Sequence, residues 1–149
     1  MDYIREAEKR LWHYRDLKRS LEWQKKEIAR LKWEGAPRDI KAMNYDGMPK
    51  CRQQDDAYNT LFKLQMYIDM KQSTEEEIKK IDDILDGIDD NGCDGYKKIL
   101  MLWYIEGWTK EEIAEELNYS SRKSIYTLRN EAIRKFSIRL FGLEALKAI

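Results

Sequence analysis

From Tyr119 to Ile149 the chain carries Arg122, Lys123, Arg129, Arg134, Lys135, Arg139 and Lys147 against only Glu131 and Glu144. At helical spacing, Arg122, Lys123, Tyr126, Thr127, Asn130 and Arg134 share one outward face, and none of these six is acidic. Guanidinium, ammonium, amide and hydroxyl groups on one helix face have the chemistry to meet base edges and phosphates of double-stranded DNA. On this reading Arg122 and Lys123, just past a capping Ser120 or Ser121, reach guanine edges, Tyr126 and Thr127 touch thymine methyls or phosphate, and Ser121 belongs to the same DNA-binding set. Lys110, Arg129, Arg134 and Lys135 contact the phosphates, and Asn130 completes the face.

Other chemistries find no support. Cys51 and Cys93 are far apart, without a CxxC motif, and His13 is the only histidine, so the clustered ligands of a zinc site are missing. The same lone histidine has no identifiable nucleophile and orienting acid around it. The acidic stretch Asp89, Asp90, Asn91, Asp94 fails as a calcium loop: with Gly92 at position six, Gly87 and Lys98 fall where Asp and Glu are required. Glu75 to Glu77 and Asp82 with Asp83 read as solvated helix surface. No glycine-rich phosphate loop occurs. The expectation is a non-enzyme with no cofactor, no metal and no small-molecule substrate. Trp12, Trp23, Trp33, Trp103 and Trp108 fit core or interface positions better than base stacking.

The elements that position these residues are helical. Charged residues make up 38% of the chain, with 7 Gly and 2 Pro among 149 residues, which suits charged helices around one core. Formal net charge is zero, which argues against indiscriminate polyanion binding. The balance is nevertheless uneven: residues 1–34 hold 10 basic against 7 acidic residues, and residues 35–93 hold 8 against 13. The charged N-terminus is unlike a signal peptide and no apolar run is long enough for a membrane span, so a cytoplasmic, nucleoid-associated protein is expected.

Leu11, Tyr14, Leu17, Leu21, Ile28 and Leu31 predict one long amphipathic helix from Tyr3 to about Trp33. A loop over 35–52 follows, then helical spacing from about Gln54 through Ile88. Thr74 with Glu77 resembles a capping box, so one long helix or two abutting helices fit. The two segments suit an intramolecular antiparallel hairpin or a coiled coil with another chain. The breaker DGIDDNGCDG, Asp86 to Gly95, marks the expected boundary between a helical arm (1–90) and a C-terminal domain (95–149).

That domain reads as three helices. Tyr96 to Glu106 turns Ile99, Leu100, Leu102, Trp103 and Ile105 inward and stops at Gly107. Thr109 and Glu112 form a capping box for a helix from Lys110 to Leu117. Asn118 takes the sharp turn, and a serine-capped third helix runs from Arg122 past Phe136 with Ile125, Leu128, Ala132, Ile133 and Phe136 inward.

The segment WTKEEIAEELNYSSRKSIYTLRNEAIRKF resembles the helix-turn-helix of region four of bacterial sigma factors, with one extra residue at Tyr119-Ser120. It is more similar still to the ArpU/RinA-type regulators of phages of low-GC Gram-positive bacteria. The resemblance implies an all-α protein of phage or prophage origin that binds DNA and times gene expression, with host RNA polymerase and a second copy of itself as further partners. A small terminase subunit, which also couples a helix-turn-helix to helical oligomerisation, and an RNA polymerase-binding adaptor are the alternatives. No sigma region two is recognisable, so promoter melting is not implied.

Overall fold

The computed structural model describes residues 1–34, 50–89, 95–119 and 122–149. The fold is all-α, and the described residues contain no strand. In order, the helices are α1 (Tyr3–Trp12), α2 (Tyr14–Glu34), α3 (Lys50–Gly87), α4 (Tyr96–Leu100), α5 (Lys110–Glu116), α6 (Arg122–Phe141) and α7 (Leu143–Ala148). No helix is long and apolar enough to cross a membrane among the described residues.

The chain forms two compact units: Met1–Lys18 with Glu77–Ile149, and Arg19–Glu76. This division differs from the expected boundary between 1–90 and 95–149. The reason is burial. Ala7 and Leu11 of α1 are fully buried, as are Ile81 and Ile88, and they share one core with Ile99, Leu100, Ile113, Ile125, Ala132 and Phe136. The C-terminal helices alone lack the apolar surface to close that core, so the chain's first helix and the end of α3 complete it.

Polar groups fix the same arrangement. Tyr14 donates to Asp82 at 2.5 Å and Arg10 pairs with Glu77. The Arg10 guanidinium also lies over the Phe141 ring, which meets Tyr3 at 5.2 Å. Arg139 donates to the Gly87 carbonyl at 2.6 Å. Asp89, one of the residues of the acidic stretch, accepts the Tyr96 and Lys97 backbone N–H groups at 3.0 and 3.4 Å and so caps α4.

The predicted N-terminal helix is interrupted at one residue, His13, whose ψ of 6° separates α1 from α2. The interruption is shallow, because His13 N–H still reaches the Lys9 carbonyl and Leu17 N–H the His13 carbonyl. The expected loop over 35–52 lies outside the described residues as far as 49, and Lys50 to Arg52 already belong to α3. Between the two possibilities left open at Thr74, the helix is continuous. The Thr74 hydroxyl donates to the Met70 carbonyl one turn back, a bond a helix-interior threonine makes without capping anything.

In the Arg19–Glu76 unit, Gln24, Ile28 and Leu31 of α2 are buried. Trp23 meets Tyr67 edge-on at 5.6 Å. The Glu27 carboxyl is held below its ordinary value by Arg30 first, with Lys63 adding to the effect. The Trp23–Tyr67 contact thus brings α2 and α3 side by side within this unit.

The predicted helix from Tyr96 to Glu106 changes character midway. α4 ends at Leu100, and Met101–Ile105 forms a π turn closed by the Glu106 N–H to Met101 carbonyl bond at 2.8 Å. The wider turn alters which side chains face inward. Tyr104 is buried and donates to Glu8 of α1 at 2.9 Å, with Trp12 edge-on to its ring at 5.0 Å. Trp103, expected inside, is half-buried and turned towards α6. Burial, reinforced by the Glu8 bond, raises the Tyr104 hydroxyl pKa well above its ordinary 10.0. The unfolded chain therefore ionises first, so Tyr104's contribution to stability is complete below about pH 10 and is lost as pH rises beyond it. Chemical denaturation across that window is expected to show a steeper loss for the wild type than for Tyr104→Phe. At neutral pH, Leu11→Ala is expected to lower the unfolding free energy by about 2–5 kcal/mol, and a fragment beginning at residue 95 to show no cooperative unfolding.

Candidate nucleic-acid interface

Thr109 opens α5 with a complete capping box: its hydroxyl accepts the Glu112 N–H at 3.3 Å and the Glu112 carboxylate accepts the Thr109 N–H at 3.0 Å. Before it, Gly107 at φ 69° turns the chain out of the π turn. After α5, Asn118 sits at φ 57°, its N–H donating to Glu115 while Tyr119 N–H reaches back to Ala114 at 2.9 Å. These two bonds form a Schellman reversal, with asparagine standing where glycine is commonest. α5 is thus framed by local chemistry on both sides.

α6 is held by its apolar side. Ile125, Ala132 and Phe136 are fully buried and Ile133 nearly so. That anchorage divides the candidate residues into three groups. Thr127, Asn130 and Arg134 are exposed on the outermost strip of the helix, opposite the core. Arg122 and Lys123 form the first turn of α6 by their backbone, with side chains outside the described set, and Ser121 lies outside the described residues.

The second group lies on one flank. Tyr126 is half-buried and meets Trp103 edge-on at 5.7 Å. The Arg129 guanidinium lies 4.7 Å from the Trp103 centroid and 5.4 Å from that of Tyr126, and the Lys110 ammonium lies 4.6 Å from the Tyr126 centroid. Two cations around one aromatic pair are held in place by the ring quadrupoles while keeping their charge. Arg129 also donates to Asn130 Oδ1 at 2.8 Å through Nη2 and 3.3 Å through Nε, which links the flank to the outer strip.

The third group occupies the opposite flank. Lys135 is half-buried with its ammonium 5.2 Å from the Tyr96 centroid, and Tyr96 donates to Glu131 at 3.3 Å. The π turn therefore supplies a residue that the sequence reading placed in the core: Trp103 supports the candidate surface by orienting Tyr126 and Arg129. Only the short spacing from Gly107 back to Trp103 hinted at it. Trp108, by contrast, borders an open groove of about 450 Å³ with Glu112, Glu115 and Glu116, whose carboxylates repel a phosphate backbone. Among the described residues no group of three or more His, Cys, Asp or Glu side chains could hold a metal ion.

The family model described as "Protein of unknown function (DUF1492)" matches residues 35–137, more than half of the chain. The chain belongs to the DUF1492 family. The DUF1492 match spans every candidate residue from Lys110 to Lys135 and both turns that frame α5, whereas α1, which closes their core, precedes it. No curated protein and no solved structure matches the chain.

Breaking the Trp103 stack tests this geometry. Trp103→Ala is expected to free Tyr126 and Arg129 and to raise amide hydrogen exchange in the first half of α6 at least several-fold, with less change around Phe136. Equal change along the whole helix would show that Trp103 acts through the core alone. Thr109→Ala, which removes the capping box, is expected to cost about 1 kcal/mol in thermal or chemical unfolding.

Proposed function

We propose that this chain is a sequence-specific DNA-binding transcription regulator of phage or prophage origin, acting in the bacterial cytoplasm at the nucleoid. α6 enters the major groove of double-stranded DNA. The observation that carries the reading is the outer strip of α6: Thr127, Asn130 and Arg134 stand exposed opposite a fully buried apolar side, with the Lys110–Tyr126–Arg129 cluster on one flank. A helix held that way, after a capped helix and a tight reversal, has the architecture of a recognition helix. Its resemblance to ArpU/RinA-type regulators and to sigma region four supports the same reading.

The roles divide by position. Asn130 and Thr127, with Arg122 and Lys123 at the N-terminal end, read base edges. Lys110, Arg129, Arg134 and Lys135 meet phosphates, and Arg129 and Lys110 do so from orientations set by Trp103 and Tyr126. Two copies bind half-sites about one helical turn or a multiple apart, and host RNA polymerase is a further partner through the helical arm.

DNA pull-down across the source genome followed by binding titration tests this. Asn130→Ala is expected to weaken binding by about 1–3 kcal/mol at one base position and to relax preference there. Arg134→Ala is expected to weaken all sequences alike and to flatten the dependence on log salt by about one unit. Arg122→Ala with Lys123→Ala is expected to lower both affinity and specificity. Absence of salt-dependent DNA binding by the folded wild type would sink the proposal.

A further inference from the structure

The Arg19–Glu76 unit presents two outward faces of unlike chemistry. On α2, opposite buried Gln24, Ile28 and Leu31, residues Arg19, Trp23, Lys26, Arg30 and Trp33 follow one another in alternating steps of four and three and are all exposed. That is the spacing of a seam between helices, occupied here by indoles and cations. Trp33 is 83% exposed, and Trp23 is 54% exposed despite its contact with Tyr67. On α3 the outward side chains include Tyr58 and Phe62, 73% and 72% exposed, then Met66, Asp69 and Glu76. This face carries aromatic and thioether groups with carboxylates.

A lone chain gains nothing by holding so much aromatic surface in water. Tryptophan, tyrosine, methionine and arginine are instead the residues that concentrate in protein interfaces. The charges discriminate among occupants. Arg30 is already engaged by Glu27 and Glu34, but among the described residues Arg19 and Lys26 have no carboxylate partner. Among the described residues, Asp69 and Glu76 accept only the amides of Gln65 and Gln72 on their own helix. Uncompensated cations on one face and uncompensated carboxylates on the other are complementary to each other.

We infer that the partner is a second copy of this chain, with the Arg19–Trp33 face of α2 in one copy seated on the Tyr58–Glu76 face of α3 in the other. The indoles of Trp23 and Trp33 cover the Phe62 and Met66 side chains, and Arg19 and Lys26 approach Asp69 and Glu76. Because the two faces differ, the contact is of the unlike-face type: it recurs twice in a closed pair or once at each junction of a larger ring. A nucleic-acid strand on α2 is disfavoured, since stacking on Trp23 and Trp33 leaves the matching acidic face of α3 unexplained. The inference does not depend on DNA recognition by α6, and its test contains no nucleic acid.

Sedimentation equilibrium of the full chain measures the association, with circular dichroism confirming that each variant keeps its helices. The wild type is expected to associate in the micromolar range. Arg19→Glu with Lys26→Glu, and separately Asp69→Lys with Glu76→Lys, are each expected to associate roughly tenfold or more weakly alone. An equimolar mixture of the Asp69→Lys/Glu76→Lys variant with the Arg19→Glu/Lys26→Glu variant is expected to restore association, because every junction between unlike variants then joins opposite charges. Trp33→Ser with Phe62→Ser, both at highly exposed positions, is expected to abolish it. A monomeric wild type at all concentrations overturns the inference, as does association that neither charge variant weakens. Failure of the mixture to recover association overturns the unlike-face contact.

Discussion

Burial along one side of α6 is the constraint on which the rest of the structure depends. Ile125, Ala132, Ile133 and Phe136 are almost wholly removed from water, and a helix pinned along that row cannot rotate about its own axis. Thr127, Asn130 and Arg134 are therefore outward by necessity. The apolar surface that receives α6 comes from distant parts of the chain: α4 and α5 just before it, but also Ala7 and Leu11 of α1, Ile81 of α3 and Ile88 just after it. A short helical hairpin buries too little surface to hold a third helix firmly, and the two long segments supply the remainder.

The π turn at Met101–Ile105 connects that core to the candidate surface. Its neighbouring residues Trp103 and Tyr104 point to different surroundings, as consecutive helical residues do. Tyr104 closes against Glu8 and Trp12, inside the core that α1 completes. Trp103 leans on Tyr126 and Arg129, at the edge of the surface that faces solvent. In the proposed DNA-binding role, Arg129 and Lys110, oriented by aromatic rings, would lose less side-chain freedom on meeting a phosphate than free surface cations do.

Charge is distributed with the same economy. The chain is neutral in total, yet its cations are concentrated in the first and last segments and its carboxylates in the middle. Neutrality limits indiscriminate attraction to polyanions, while local segregation leaves one helix able to attract phosphate and two others able to attract each other.

Much of this was legible along the chain. The capping box at Thr109 and Glu112, the reversal at Asn118 and the inward row of α6 are set by contacts between residues at most five apart or by helical period, and sequence contains that information directly. The helical character of the arm was legible for the same reason. Three features were not. Thr74 with Glu77 matches a capping pattern, but continuous burial from Ile78 onward and pairing with α2 before it keep α3 in one piece, so tertiary contact outweighs a local signal. Tyr104, in the π turn, meets Glu8, and no spacing rule links residues 8 and 104. The boundary near residue 90 follows glycine and aspartate content, whereas compact units follow burial. Sequence by itself determined the helices, the capping box of α5 and the residues offered on α6; only the folded chain decided that α1 belongs to the same core and that Trp103, at its edge, meets Tyr126 and Arg129. The physical reason is range: capping and periodicity act within a turn or two, while burial joins whichever apolar surfaces the whole chain can bring together.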